Sequence, residues 1–114
     1  MPEGSINVVI DVKGFDLVEP KIRKAMETAL DKAGFQVERD AKIFAPVRTG
    51  RLRASINKQR KGLIVTVQDN VNYGIYQEYG TWKMKSHPFM RPSLEKNVAK
   101  IKQLILEEIR SALK

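Results

Sequence analysis

The chain has 114 residues, 42% hydrophobic and 30% charged, with a formal net charge of +8. That is the size and balance of one compact soluble domain, here spanning residues 1–114, and not of a disordered chain. The absence of cysteine excludes disulfides, Cys-based zinc sites and thiol catalysis, and a single histidine excludes a two-His zinc site within one chain. The N-terminus lacks the basic-then-apolar order of a signal peptide and no apolar run reaches the length of a membrane span, so folding in a cytoplasm is expected.

In chain order, Ile6, Val8, Ile10 and Val12 alternate with polar residues over Ser5 to Lys13, with Val9 the exception, and predict a half-buried strand ended by Gly14. Asp16 is a candidate helix cap and Pro20 suits a first helical turn. Val18, Ile22, Ala25, Met26, Ala29, Ala33, Val37, Ala41 and Phe44 then recur at three- and four-residue steps, predicting a long amphipathic helix closed by Ala45-Pro46. Gly34 falls inside it and marks a place for a bend or break. Ser55 to Lys61 and Leu63 to Asp69 read as two strands around a tight Lys61-Gly62 turn.

A second turn at Asn70 to Asn72 follows, then an aromatic stretch, Tyr73 to Thr81, that periodicity assigns to neither helix nor strand. Residues 82–88 read as a loop. Pro92 opens a closing helix whose buried stripe is Leu94, Val98, Ile101, Ile105, Ile109 and Ala112, widened by Leu104, Leu106 and Leu113. A helix this apolar is expected to pack on the sheet on one side and on the first helix or a neighbouring subunit on the other.

The positive charge is concentrated. Residues 16–45 carry six acids and six bases and cancel, whereas residues 46–62 hold Arg48, Arg51, Arg53, Lys58, Arg60 and Lys61 with no acid, and residues 81–91 add Lys83, Lys85 and Arg91. Such a zone attracts an anion (nucleic acid, a membrane surface or an acidic protein face) or serves as a solvated, solubilising surface.

Signs of chemistry are few. Ser55, Asp69 and His87 include the residue types of a hydrolytic triad, but no nucleophile-elbow sequence surrounds the serine. Glu38 with Asp40, and Glu107 with Glu108, read as solvated acids on helix faces. The glycines are isolated and build no phosphate loop. No enzyme and no cofactor is indicated.

Three short stretches carry a resemblance. Ala45-Pro46-Val47-Arg48-Thr49-Gly50-Arg51-Leu52-Arg53-Ala54-Ser55-Ile56 is similar to the APV-x-TG-x-L-R-x-SI stretch of the tail-component family of tailed phages, also described as tail-completion or head–tail joining proteins. Tyr73-Gly74-Ile75-Tyr76-Gln77-Glu78-Tyr79-Gly80-Thr81 resembles the family's second stretch, and Pro88-Phe89-Met90-Arg91-Pro92-Ser93-Leu94 its third. The likeness runs from about Ala25 to the C-terminus. Arg48 departs from it, standing where an aspartate is usual, and Gly74 and Ser93 stand where small alanines are usual.

The resemblance implies an α+β fold, with a small antiparallel sheet packed against a long N-terminal helix and a C-terminal helix. It also implies a ring of subunits, commonly six, at the head-proximal end of the tail, with other phage tail or connector proteins as partners. The place is then the virion tail, after assembly in the host bacterial cytoplasm.

Thr49 and Gly50 suit a sharp corner, and a plain turn joining helix to strand is the favoured reading of them. Arg48, Arg51 and Arg53 extend from that corner into the basic zone. Glu78 lies among three tyrosines, where a buried carboxylate needs a partner, and Arg53 or Arg91 is the expected one; the alternative is an exposed Glu78 at a segment end. Gly80 closes the second stretch, Phe89 reads as a core anchor and Trp82 as an exposed loop aromatic suited to an interface. The basic segments are expected to meet acidic faces of neighbouring tail proteins, with DNA contact weak. The competing class is a nucleic-acid-binding module that stacks bases on Tyr73, Tyr76, Tyr79 and Trp82, although the two middle strands carry no aromatic residue.

Overall fold

A computed structural model describes residues 3–15, 18–46 and 50–114. Strand β1 (Asn7–Asp11) leads through a short 3-10 turn to helix α1 (Pro20–Phe44); a one-turn helix α2 (Arg51–Ser55) precedes strands β2 (Asn57–Lys61) and β3 (Ile64–Gln68); a short helix α3 (Gly74–Tyr79) and the long helix α4 (Met90–Ala112) complete the chain. The architecture is α+β, a three-stranded antiparallel sheet of order β1-β3-β2 packed against two long helices.

The hairpin between β2 and β3 is tight because Lys61 pairs with Ile64, leaving Gly62-Leu63 as the loop. Gly62 has φ of 61° and no described non-glycine residue has a positive φ. Glycine at the first loop position alone gives a type II′ turn, whose twist matches that of the strands it joins.

Register fixes the faces. Val8 lies opposite Val67 and Ile10 opposite Val65, so these residues share the face that packs on the helices. On β2 that same face carries Lys58 and Arg60, opposite Val67 and Val65. Their cationic ends are not left to solvent. Arg60 pairs with Asp31 at 2.9 Å and Glu27 at 3.6 Å, and Lys58 reaches Asp31 at 3.7 Å, all on α1. The expected basic zone over 46–62 is therefore divided, with two of its cations neutralised against the first helix.

Helix α1 runs unbroken through Gly34, and the glycine has a different use from the expected bend. A Cβ there would lie 2.6 Å from Val65 Cγ2 and 3.1 Å from Lys58 Cδ, so its absence lets α1 sit directly on the sheet. Ala25, Ala29, Ala33 and Ala41 continue this close-approach stripe, with Met26, Leu30 and Val37 filling between them. Ala45, before Pro46, has the extended ψ of 136° that a proline imposes on its predecessor, and the helix stops there. The expected Asp16 cap lies outside the described residues; Pro20 takes the first turn, and Glu19 before it makes no side-chain cap.

Helix α4 lies antiparallel to α1, with Glu108 paired to Lys32 near one end and Asn97 meeting Asp40 nearer the other. Asp40 corrects the solvated-acid reading. It is 1% exposed and takes the Asn97 amide at 2.7 Å, with Arg39 at 3.3 Å and Lys96 at 3.8 Å from its other oxygen. Phe89, Met90 and Ile101 join Val37, Leu52, Ile56, Val67 and Val71 in the main core. Val98, expected in the buried stripe, is half-exposed, because α4 turns that position past the β1 edge. The long helix pair makes the molecule an elongated body of 54 × 23 × 21 Å.

Candidate protein interface

Position 56 ends α2 and does not extend a strand, since residues 51–55 form a helical turn. Gly50 precedes that turn with φ of 75°. Leu52 is buried and anchors the turn, while Arg51 is exposed and stacks 5.9 Å from the centroid of Tyr73. Arg53 points back toward the end of α1: its Nη2 donates to the Ala45 carbonyl at 3.5 Å, and its Nε is buried without a hydrogen-bond partner. Arg48 and Thr49 lie outside the described residues.

The undecided stretch 73–81 is helical over Gly74–Tyr79, and its faces are reversed. The buried residues of α3 are Gly74 and Glu78, while Ile75, Tyr76 and Tyr79 are 37%, 50% and 59% exposed. An ordinary surface helix turns its apolar stripe to the core and its charges to water. Here the carboxylate goes in and the rings come out.

Two buried acids make that reversal affordable in free energy. Asp69, fully buried at the end of β3, accepts the amides of Ile6 at 3.1 Å and Val71 at 3.2 Å, fixing the turn that launches α3. A Cβ on Gly74 would fall 2.1 Å from Asp69 Oδ2, so the helix begins directly over that carboxylate only because residue 74 is glycine. Burial pushes the Asp69 carboxyl above its ordinary value against the opposing pull of the Val71 and Ile6 amides.

Glu78 is the second tie. Its Oε1 accepts the amides of Phe89 at 3.0 Å and Met90 at 2.8 Å, and its Oε2 accepts the amide of Arg91 at 3.0 Å. Helix α4 has no cap of its own and no acid in its first turn, so a carboxylate from α3 satisfies amides that would otherwise lack acceptors. The expected bridge from Glu78 to Arg53 or Arg91 is not formed. The main-chain amide of Arg91 is the partner, and its guanidinium instead lies 5.9 Å from the Tyr79 ring centroid. Glu78 joins the middle segment to the closing helix, by backbone capping and not by an ion pair.

Gly80 ends α3 with φ of 77°, and a Cβ there would meet Met84 O and Ser86 N, both at 2.8 Å. That approach lets the following loop fold back on α3, held where the His87 amide donates to Gln77 O at 2.7 Å. On the loop Trp82 is 91% exposed, with the Lys83 ammonium 4.6 Å from its ring centroid. Phe89 is fully buried directly after the loop.

The triad residue types are otherwise engaged. Ser55 Oγ donates to Leu52 O and accepts the Asn70 amide, Asp69 is turned to backbone amides, and His87 is exposed on the loop. Among the described residues no group of His, Asp and Glu could hold a metal ion, and no helix is long and apolar enough to cross a membrane.

The sequence reading missed the buried structural roles of Asp40, Asn97 and Asp69. The first two left a trace: Asp40 falls three residues after Val37 within the apolar stripe of α1, and Asn97 three after Leu94 within that of α4. A polar residue in each of two facing stripes is the mark of a buried pair. Asp69 left none beyond its place at a strand end.

Residues 13–80, more than half of the chain, match a family described as "Bacteriophage HK97-gp10, putative tail-component". The matched span takes in α1, the β2–β3 hairpin and α3; it begins earlier than the resemblance read from the sequence and stops before the Pro88 to Leu94 stretch. Neither a curated protein nor a solved structure matches the chain.

Proposed function

Because the chain belongs to the HK97-gp10-like family of bacteriophage tail components, we propose that it completes the tail or joins it to the head, as one subunit of a ring. The role is structural, carried by contacts with other phage structural proteins and not by turnover. The observation that carries this reading is α3, whose apolar side chains point to solvent from a backbone fixed by two buried carboxylates. A rigid, outward aromatic surface beside exposed cations is what a docking face requires, since rings and arginine dominate the energetics of protein interfaces.

The test is deletion in a phage or inducible prophage, followed by electron microscopy and native mass spectrometry of the purified protein. The expected outcome is heads and tails that accumulate unjoined, or tails of uncontrolled end structure, and a discrete homo-oligomer. Normal, infectious particles that lack the protein would contradict it.

A further inference from the structure

Between Gly74 and Arg91 the sequence holds one carboxylate, Glu78, and it is buried with its oxygens committed to three backbone amides. The same span carries Lys83, Lys85 and Arg91, all exposed, none in an ion pair among the described residues. Arg91 is placed against local preference. It occupies the first turn of α4, where the helix dipole disfavours a cation. The neighbouring Glu78 carboxylate offsets that, and the side chain extends over Tyr79 onto the outward face. The surface is thus aromatic and uniformly positive, with cations resting on the rings.

We propose that this face, the outward side of α3 with residues 80–91, binds an acidic segment of another tail protein, whose carboxylates meet Lys83, Lys85 and Arg91 around Tyr79 and Trp82. This rests on reading the chain as an assembly subunit. Charge complementarity selects the occupant. A second copy meeting it face to face is disfavoured because Lys83, Lys85 and Arg91 would oppose their own counterparts, whereas ring contacts join different surfaces. Single-stranded nucleic acid is disfavoured because no strand of the sheet carries an aromatic residue on which successive bases could stack. A carboxylate needs only the outer ends of Lys83 and Arg91, and the rings beside them add a modest hold on their position.

Trp82 is the chain's one tryptophan, so its emission reports on this face directly. The experiment titrates the full chain with a peptide of alternating Asp or Glu and leucine, then with a single-stranded oligonucleotide of equal length, and follows Trp82 emission. The expected result is a saturable blue shift with the peptide. In a variant carrying Lys83→Glu, Lys85→Glu and Arg91→Glu it should weaken by about tenfold or more. It should be retained in a charge-matched control carrying Lys24→Glu, Lys100→Glu and Lys102→Glu, with circular dichroism confirming that both fold. Four results would overturn the proposal: no shift with the peptide, equal weakening in both variants, a shift with the oligonucleotide alone, or a shift that appears on concentrating the protein by itself. If the peptide fails while the protein still completes tails, the acidic partner falls and the assembly reading stands; if tails form normally without the protein, the assembly reading falls whatever the peptide does.

Discussion

Two parts of this molecule follow opposite rules. In the frame made by β1, β3, α1 and α4, the main apolar stripes face inward, although Phe35, Ile43, Leu106 and Leu113 stay exposed. The buried Asp40 is matched by Asn97 and Lys96 of α4 and by Arg39 beside it, and Asp31 at the edge pairs with Lys58 and Arg60 of β2. In α3 and the loop after it, Gly74 and Glu78 face inward while Ile75, Tyr76, Tyr79 and Trp82 face out. The frame is stabilised by burial, and α3 is held by backbone hydrogen bonds to carboxylates. Segments that break the local rule while remaining fixed in place are where function is expected to lie.

The contrast can be broken most forcefully at its junction. Phe89→Ala empties a fully buried ring site at the start of α4 and should lower unfolding free energy by about 3–5 kcal/mol, read by chemical denaturation. Glu78→Gln keeps the shape but sets an amide NH2 against backbone N–H groups, so a loss of about 2 kcal/mol is expected. Amide exchange should rise first at the start of α4 in that variant. A melting curve identical to the wild type would remove Glu78 from its capping role.

Smaller effects follow from pH. Burial opposes ionisation of Asp40, yet the Asn97 amide together with Lys96 and Arg39 outweighs it and holds the carboxyl below its ordinary value. A depressed folded pKa means that Asp40 contributes stability fully above the unfolded pKa of about 3.9 and loses it as pH falls through the folded value. Asp69 runs the other way: its raised folded pKa means the fold binds that proton more tightly than the unfolded chain, so its contribution declines as pH rises through the window above the unfolded value. Asp40→Asn should therefore flatten the acid limb of the stability profile and cost about 1–2 kcal/mol near neutrality. Asp69→Asn should steepen the acid loss that Asp40 produces, since the opposing slope is gone. Denaturation series between about pH 3 and pH 7 separate the two.

The smallest effect on stability should come from the face itself. Tyr79→Ala with Trp82→Ala ought to stay within about 0.5 kcal/mol of the parent, because both side chains are mostly exposed. The same pair should abolish incorporation into tails, measured by the protein content of purified particles. A variant that is destabilised yet still incorporated would reverse the assignment of roles between the two regions.

The long elements were legible because their periods are long: the α1 stripe from Ile22 to Ala41, the Gly62 hairpin and the α4 stripe are repeated signals that local chemistry cannot easily disguise. The three motif stretches led to the family that the match over residues 13–80 bears out. What stayed hidden depends on contacts remote in sequence. Gly34 resembles a helix breaker until Val65 is brought against it, and Lys58 and Arg60 look solvent-bound until β2 turns them toward α1. The position of Glu78 in a tyrosine cluster signalled burial, but charge pairing suggested an arginine, because a sequence displays side-chain partners and conceals main-chain amides. The reversal of α3 was hidden for a simpler reason: six residues are too few for a period to declare which side faces in.

The most direct test of α3 and its loop as an assembly face is quenching of Trp82 by a small neutral quencher such as acrylamide, in the isolated protein and in purified tails with every other tryptophan silent by analogue substitution. Full quenching in isolation and strong protection in the tail is the predicted result. Equal quenching in both would show that this outward aromatic face meets no partner there, and would contradict the account.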